Sequence, residues 1–83
     1  MAAVKLKGTE TNLASATNLG FATLVRVVNN SGSIQLVTLK NAGGTTIGTF
    51  TMTANSVELV KKTSTDTLTG AATTLAVKVA STW

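Results

Sequence analysis

With 83 residues and a formal net charge of +4, the chain has room for one small domain, and it contains no His, Cys, Tyr or Pro. Its only carboxylates are Glu10, Glu58 and Asp66, and charged residues make up just 12% of it. That inventory closes His- and Cys-based catalysis, thiolate and imidazole metal sites, and disulfide stapling.

Taken in chain order, Val4-Lys5-Leu6-Lys7 alternates apolar and charged groups with the two-residue period of a half-buried strand. It lacks the apolar stretch of a signal peptide and is read as the first strand of the mature protein. Residues 8–20, with Thr9-Glu10-Thr11-Asn12 and Leu13-Ala14-Ser15-Ala16, are assigned to a long connection. Ala22 to Val28 and Ser33 to Lys40 carry apolar groups on both faces, at Leu24-Val25 and Leu36-Val37, the pattern of strands covered on both sides. Thr45 to Met52 places Gly48, Phe50 and Met52 on one face and Thr49 and Thr51, continued by Thr53, on a more polar one. Val57 to Lys62 sets Val57 and Leu59 against Glu58 and Val60. In Leu75 to Ala80 the large apolar residues Leu75, Val77 and Val79 occupy the odd face, which is the one expected to be buried, and Trp83 continues it.

The turns fall where Asn and Gly tolerate positive φ. Asn29-Asn30-Ser31-Gly32 and Asn41-Ala42-Gly43-Gly44 are each read as a hairpin loop. Weaker breaks stand at Thr53-Ala54-Asn55, Ser64-Thr65-Asp66 and Thr69-Gly70-Ala71. A turn every 8 to 12 residues or so is the rhythm of a sandwich or barrel rather than of βαβ units. The expected fold is therefore all-β, one domain over 1–83, as a small antiparallel β-sandwich or jelly-roll-like barrel of about six or seven short strands.

Candidate chemistry is sparse. Gly43-Gly44-Thr45-Thr46-Ile47-Gly48 lacks the Lys-Ser/Thr pair of a phosphate-binding loop and precedes no helix, so it reads as hairpin. Asn29-Asn30-Ser31 matches a glycosylation sequon but has no secretory signal beside it, and reads as a turn. Glu58 is expected to face a Lys across strands, and Asp66 to bond backbone N–H groups in its turn. No catalytic residue, metal ligand or cofactor site is assigned, and no enzyme activity is expected. The basic residues Lys5, Lys7, Arg26, Lys40, Lys61, Lys62 and Lys78 are spread along the chain with no Tyr to stack bases, so nucleic acid is the weaker partner class.

A domain this short buries only about two-thirds of the surface its unfolded chain exposes. With disulfides and most metals closed, partner subunits are the remaining support. A mean hydropathy of +0.32 points the same way, to apolar surface covered by neighbours. No run reaches the ~18 apolar residues of a membrane helix, and no membrane association is expected. The N-terminal strand Val4, Lys5, Leu6 and Lys7 is the first candidate for a pairing edge, and Trp83 for partial burial or an anchor in a neighbour.

Four segments, Ala3-Val4-Lys5-Leu6-Lys7, Ala22-Thr23-Leu24-Val25-Arg26-Val27-Val28-Asn29, Gly48-Thr49-Phe50-Thr51 and Leu75-Ala76-Val77-Lys78-Val79-Ala80, give the chain a resemblance. It resembles the small Thr- and Ala-rich β-proteins found in virions of tailed bacteriophages, particularly marine ones. The resemblance spans nearly the whole chain and carries over no functional residue. What it implies is a virion location and an accessory structural role. Capsid decoration or cement, on the major capsid protein, comes first. A neck, tail or fibre subunit that self-assembles is the rival within the class. A small basic nucleic-acid-binding β-barrel is the rival from outside it.

Overall fold

The computed structural model describes residues 4–80, and Trp83 lies outside them. They form eight antiparallel strands and no helix: β1 (Lys5–Leu6), β2 (Thr11–Asn12), β3 (Leu24–Asn29), β4 (Gln35–Lys40), β5 (Thr46–Met52), β6 (Val57–Lys61), β7 (Thr67–Thr69) and β8 (Thr74–Ala80). The larger sheet runs β1-β8-β3-β6, with β2 also on β8; the smaller runs β5-β4-β7. The two are packed as a β-sandwich.

The core fills from both sheets: Val25, Val27 and Ala76 from one, Val37, Met52 and Leu68 from the other, with Leu39, Phe50 and Val60 packed against them. Leu13, Leu19 and Ala22 complete it from the long connection. That connection is more ordered than a simple loop. It contains β2, and Thr17 bridges to Leu68, adding a rung to the smaller sheet. Three successive residues, Leu19, Gly20 and Phe21, have φ of 57°, 69° and 58°. They make a left-handed turn, closed by the Ala22 N–H on the Asn18 carbonyl at 3.3 Å.

The hairpin expected at Asn41-Ala42-Gly43-Gly44 joins β4 to β5. The Asn41 side-chain oxygen accepts from the Gly43 and Thr45 N–H groups at 2.9 and 3.0 Å, and Gly44 supplies a φ of 85°. The hairpin expected at Asn29-Asn30-Ser31-Gly32 is instead a crossing from β3 in one sheet to β4 in the other. Asn29 is fully buried. Its amide is committed to the carbonyls of Ser33, Met52 and Thr53 at 2.8, 3.3 and 3.0 Å, so the sequon asparagine has no free side chain to modify. The breaks near residues 54, 65 and 72 are likewise sheet-to-sheet crossings.

Face assignment brings the main correction. Residues paired across antiparallel strands point to the same side. The core residues Val25, Val27 and Asn29 stand opposite Lys78, Ala76 and Thr74. The even face of β8 therefore looks inward, and Leu75, Val77 and Val79 look outward. In β6 the two faces separate as expected: Val60, opposite Val25, packs against the core, while Val57 and Leu59 point out. The face carrying Gly48, Phe50 and Met52 in β5 does turn inward, opposite Leu39, Val37 and Gln35.

Candidate docking surface

The outward face of the larger sheet is apolar. Val57 stands beside Val28, which stands beside Leu75; Leu59 beside Arg26, which stands beside Val77; Leu6 beside Val79. Val77 and Val79, on a central strand, are almost wholly shielded by their neighbours, whereas Leu6, Val57 and Leu59 are 64%, 47% and 46% exposed. One ion pair interrupts the face: Arg26 Nη1 lies 3.9 Å from Glu10 Oε2. Both side chains are more than a third open to solvent, so the pair adds little stability. The smaller sheet's outward face sets Thr49, Thr38 and Thr69 abreast across its three strands and also carries Leu36 and Ile47, 54% and 55% exposed.

The sandwich has open edges. β1 ends the larger sheet on one side, held by Lys5 opposite Ala80, Leu6 opposite Val79, and the Lys7 N–H on the Lys78 carbonyl at 2.8 Å. This puts Val4, Lys5, Leu6 and Lys7 at a sheet margin, as a pairing edge requires. On the opposite side both sheets end in strands with one open edge, β5 and β6. A shallow cleft of about 460 Å³ opens there, lined by Phe50, Thr51, Glu58, Leu59, Val60 and Lys61.

The hydrogen-bond phase of β6 follows from its two ends. The Asn29 N–H donates to the Ser56 carbonyl at 2.9 Å and the Lys62 N–H to the Thr23 carbonyl at 3.0 Å. Even-numbered residues of β6 thus turn their backbone groups toward β3. Val57, Leu59 and Lys61 turn theirs to the open edge.

The titratable groups are scattered. Glu58 stands opposite Val27, not opposite a Lys as expected, because the strand register sets a valine there. Asp66 is buried and accepts the Thr63 N–H at 3.1 Å, the turn-forming bond expected of it. Lys62 is buried too, with Nζ 3.3 Å from the carbonyls of Thr63 and Ser64. Burial lowers its pKa below the ordinary 10.5, and the Asp66 charge opposes that shift. Lys78 Nζ donates to the Gly20 carbonyl at 3.1 Å, beside a groove of about 350 Å³ formed with Lys7, Thr9, Thr11 and Thr17. Among the described residues no three of His, Cys, Asp and Glu gather as a metal site, and no helix is long and apolar enough to cross a membrane.

No protein-family model, curated protein or solved structure matches the chain. The sequence places apolar groups on both faces of Ala22 to Val28, but it does not show that Leu75, Val77 and Val79 join the outward one.

Proposed function

We propose that this chain is a non-enzymatic structural protein of a phage particle, a decoration subunit that docks on the shell of major capsid protein. The observation that carries the reading is the outward face of the larger sheet. Val57 and Leu59 at the β6 margin and Leu6 at the β1 margin are about half exposed or more, with the shielded Val77 and Val79 and the Arg26–Glu10 pair between them. Large apolar side chains left open at both margins of one sheet support an interaction site. The virion in this reading is what the sequence resemblance implies; the face supports the means of attachment.

Docking also answers the thin stability of so small a core, because a partner that binds only the folded state raises the unfolding free energy by RT ln(1 + [L]/Kd). The experiment is thermal unfolding of the purified protein with and without assembled shells, alongside co-sedimentation. A higher unfolding temperature and co-sedimentation with shells are expected. An unchanged melting curve with the protein left in the supernatant overturns the reading.

The neck, tail or fibre alternative is favoured by one observation, the paired open edges of β5 and β6. Rings or filaments formed by the purified chain, without capsid protein, would select it.

A further inference from the structure

We propose that two copies of this chain join edge to edge through β6, antiparallel about a two-fold axis at Leu59, so that the larger sheet runs unbroken through the pair. The dimer is a property of this chain alone and stands independently of what the apolar face docks on.

The strand is suited to the partnership. It is five residues long, Val-Glu-Leu-Val-Lys, and contains no Gly, Pro or bulge. Its two edge charges, Glu58 and Lys61, are opposite in sign and lie in opposite halves, so they oppose a parallel stacking of like ends more than an antiparallel one. Its outward-facing backbone groups belong to Val57, Leu59 and Lys61. Centring the axis on Leu59 sets Leu59 against the partner's Leu59 and Val57 against the partner's Lys61. Every free N–H and C=O is then used, in three hydrogen-bonded residue pairs and about six bonds.

Neighbouring registers do worse. Moving the axis to Glu58 brings two carboxylates face to face, a destabilising like-charge pair. Moving it to Val60 sets Val57 against the partner's Thr63, whose N–H is already held by Asp66 at 3.1 Å. With Leu59 at the centre, the acidic half of each strand runs along the basic half of the other, toward the partner's Lys61 and the partner's Lys62. On the inner side the partner's Val60 comes opposite Glu58, at the mouth of the cleft floored by Phe50 and Val60.

One strand edge buries less than the ~1,200 Å² of a stable interface, so the dimer is reversible and concentration-dependent. Pairing also sets the two Leu59 side chains side by side on the outward face, with each Val57 beside the partner's Lys61.

The test uses the full chain in three forms. For the unaltered protein, sedimentation equilibrium should give a mass rising toward twice the monomer near millimolar concentration. Leu59→Cys places two thiols across the axis at the ~5.5 Å Cα spacing that a disulfide spans. Because the chain has no other Cys, mild oxidation should give a covalent dimer, whereas Val57→Cys should not. Leu59→Pro removes an N–H that faces the open edge, so the internal ladder keeps its bonds. It should stay folded by circular dichroism and raise the dimer dissociation constant about tenfold or more. A strict monomer at millimolar concentration overturns the proposal. So does a dimer that folded Leu59→Pro leaves unchanged, or equal cross-linking through residues 57 and 59.

Discussion

The side-chain amide of Asn29 donates at 3.0 Å to the main-chain carbonyl of Thr53, tying the end of β3 in one sheet to the end of β5 in the other. The same nitrogen reaches the Ser33 and Met52 carbonyls, and the Ser31 hydroxyl donates to Asn29 Oδ1 at 2.8 Å. A single carboxamide thus serves three backbone carbonyls on two segments, and one hydroxyl, at the rim of the core.

Removing it leaves those carbonyls without their donor. Asn29→Ala should destabilise by about 2 kcal/mol or more, since a buried polar group that loses its partner costs about 1–3 kcal/mol. Asn29→Asp should be worse at neutral pH, because a carboxylate would face carbonyl oxygens. Its folded-state pKa would be raised, so the folded form holds the proton more tightly. Stability of Asn29→Asp should then fall as pH rises and recover toward acid. Urea unfolding of both variants at pH 4 and pH 7 checks the pair.

Lys62 predicts a dependence at the alkaline end. Burial lowers its folded-state pKa below 10.5, so between the two values the unfolded chain binds more protons than the folded one. The contribution of Lys62 to stability therefore rises with pH across that window. The difference in unfolding free energy between the parent and Lys62→Met, measured from pH 8 to 10.5, should shift in favour of the parent. A flat difference would count against a depressed Lys62.

Phe21 holds a left-handed backbone, φ 58°, while 62% exposed. A branched or bulky residue there costs roughly 1–2 kcal/mol that Asn largely avoids. Asn55 already occupies such a position, at the same φ. Phe21→Asn should raise stability by about 0.5–1 kcal/mol, read as a higher melting temperature.

The two faces of the larger sheet should respond oppositely to polar substitution. Val57→Thr with Leu59→Thr should change stability by about 0.5 kcal/mol or less per site while shortening retention on a hydrophobic interaction column. Val25→Ala, at a fully buried site, should cost about 2 kcal/mol and leave retention of the folded protein unchanged.

Strand positions were legible because β-branched runs alternate between Asn- and Gly-rich breaks, and the inward face of β5 followed from Gly48, Phe50 and Met52 alone. The inward face of β8 was not. Leu75, Val77 and Val79 are larger than Ala76 and Thr74, so bulk argued for burying the odd side. Yet Ala76 shares its core cluster with the larger Leu13, Leu19 and Leu68, which come from outside the larger sheet, and a small side chain suffices there. Local pattern ranks the two faces of one strand by size, while the choice belongs to the volume left by the other elements. The crossing at Asn29 escaped for a related reason: an Asn-Gly break signals a reversal, and says nothing about which sheet the next strand joins.

β8 is the last described strand, and it lies inside the larger sheet with β1 and β2 on one flank and β3 on the other. As the chain is synthesised, the earliest segments therefore have nothing to pair with until nearly everything else has emerged. Only the β4–β5 hairpin closes locally. The remaining contacts join distant parts of the chain, which slows folding and leaves the Val-rich edge of β3 bare in the interval. The larger sheet of such a chain cannot be completed piece by piece, and its window for aggregation is set by how soon β8 arrives.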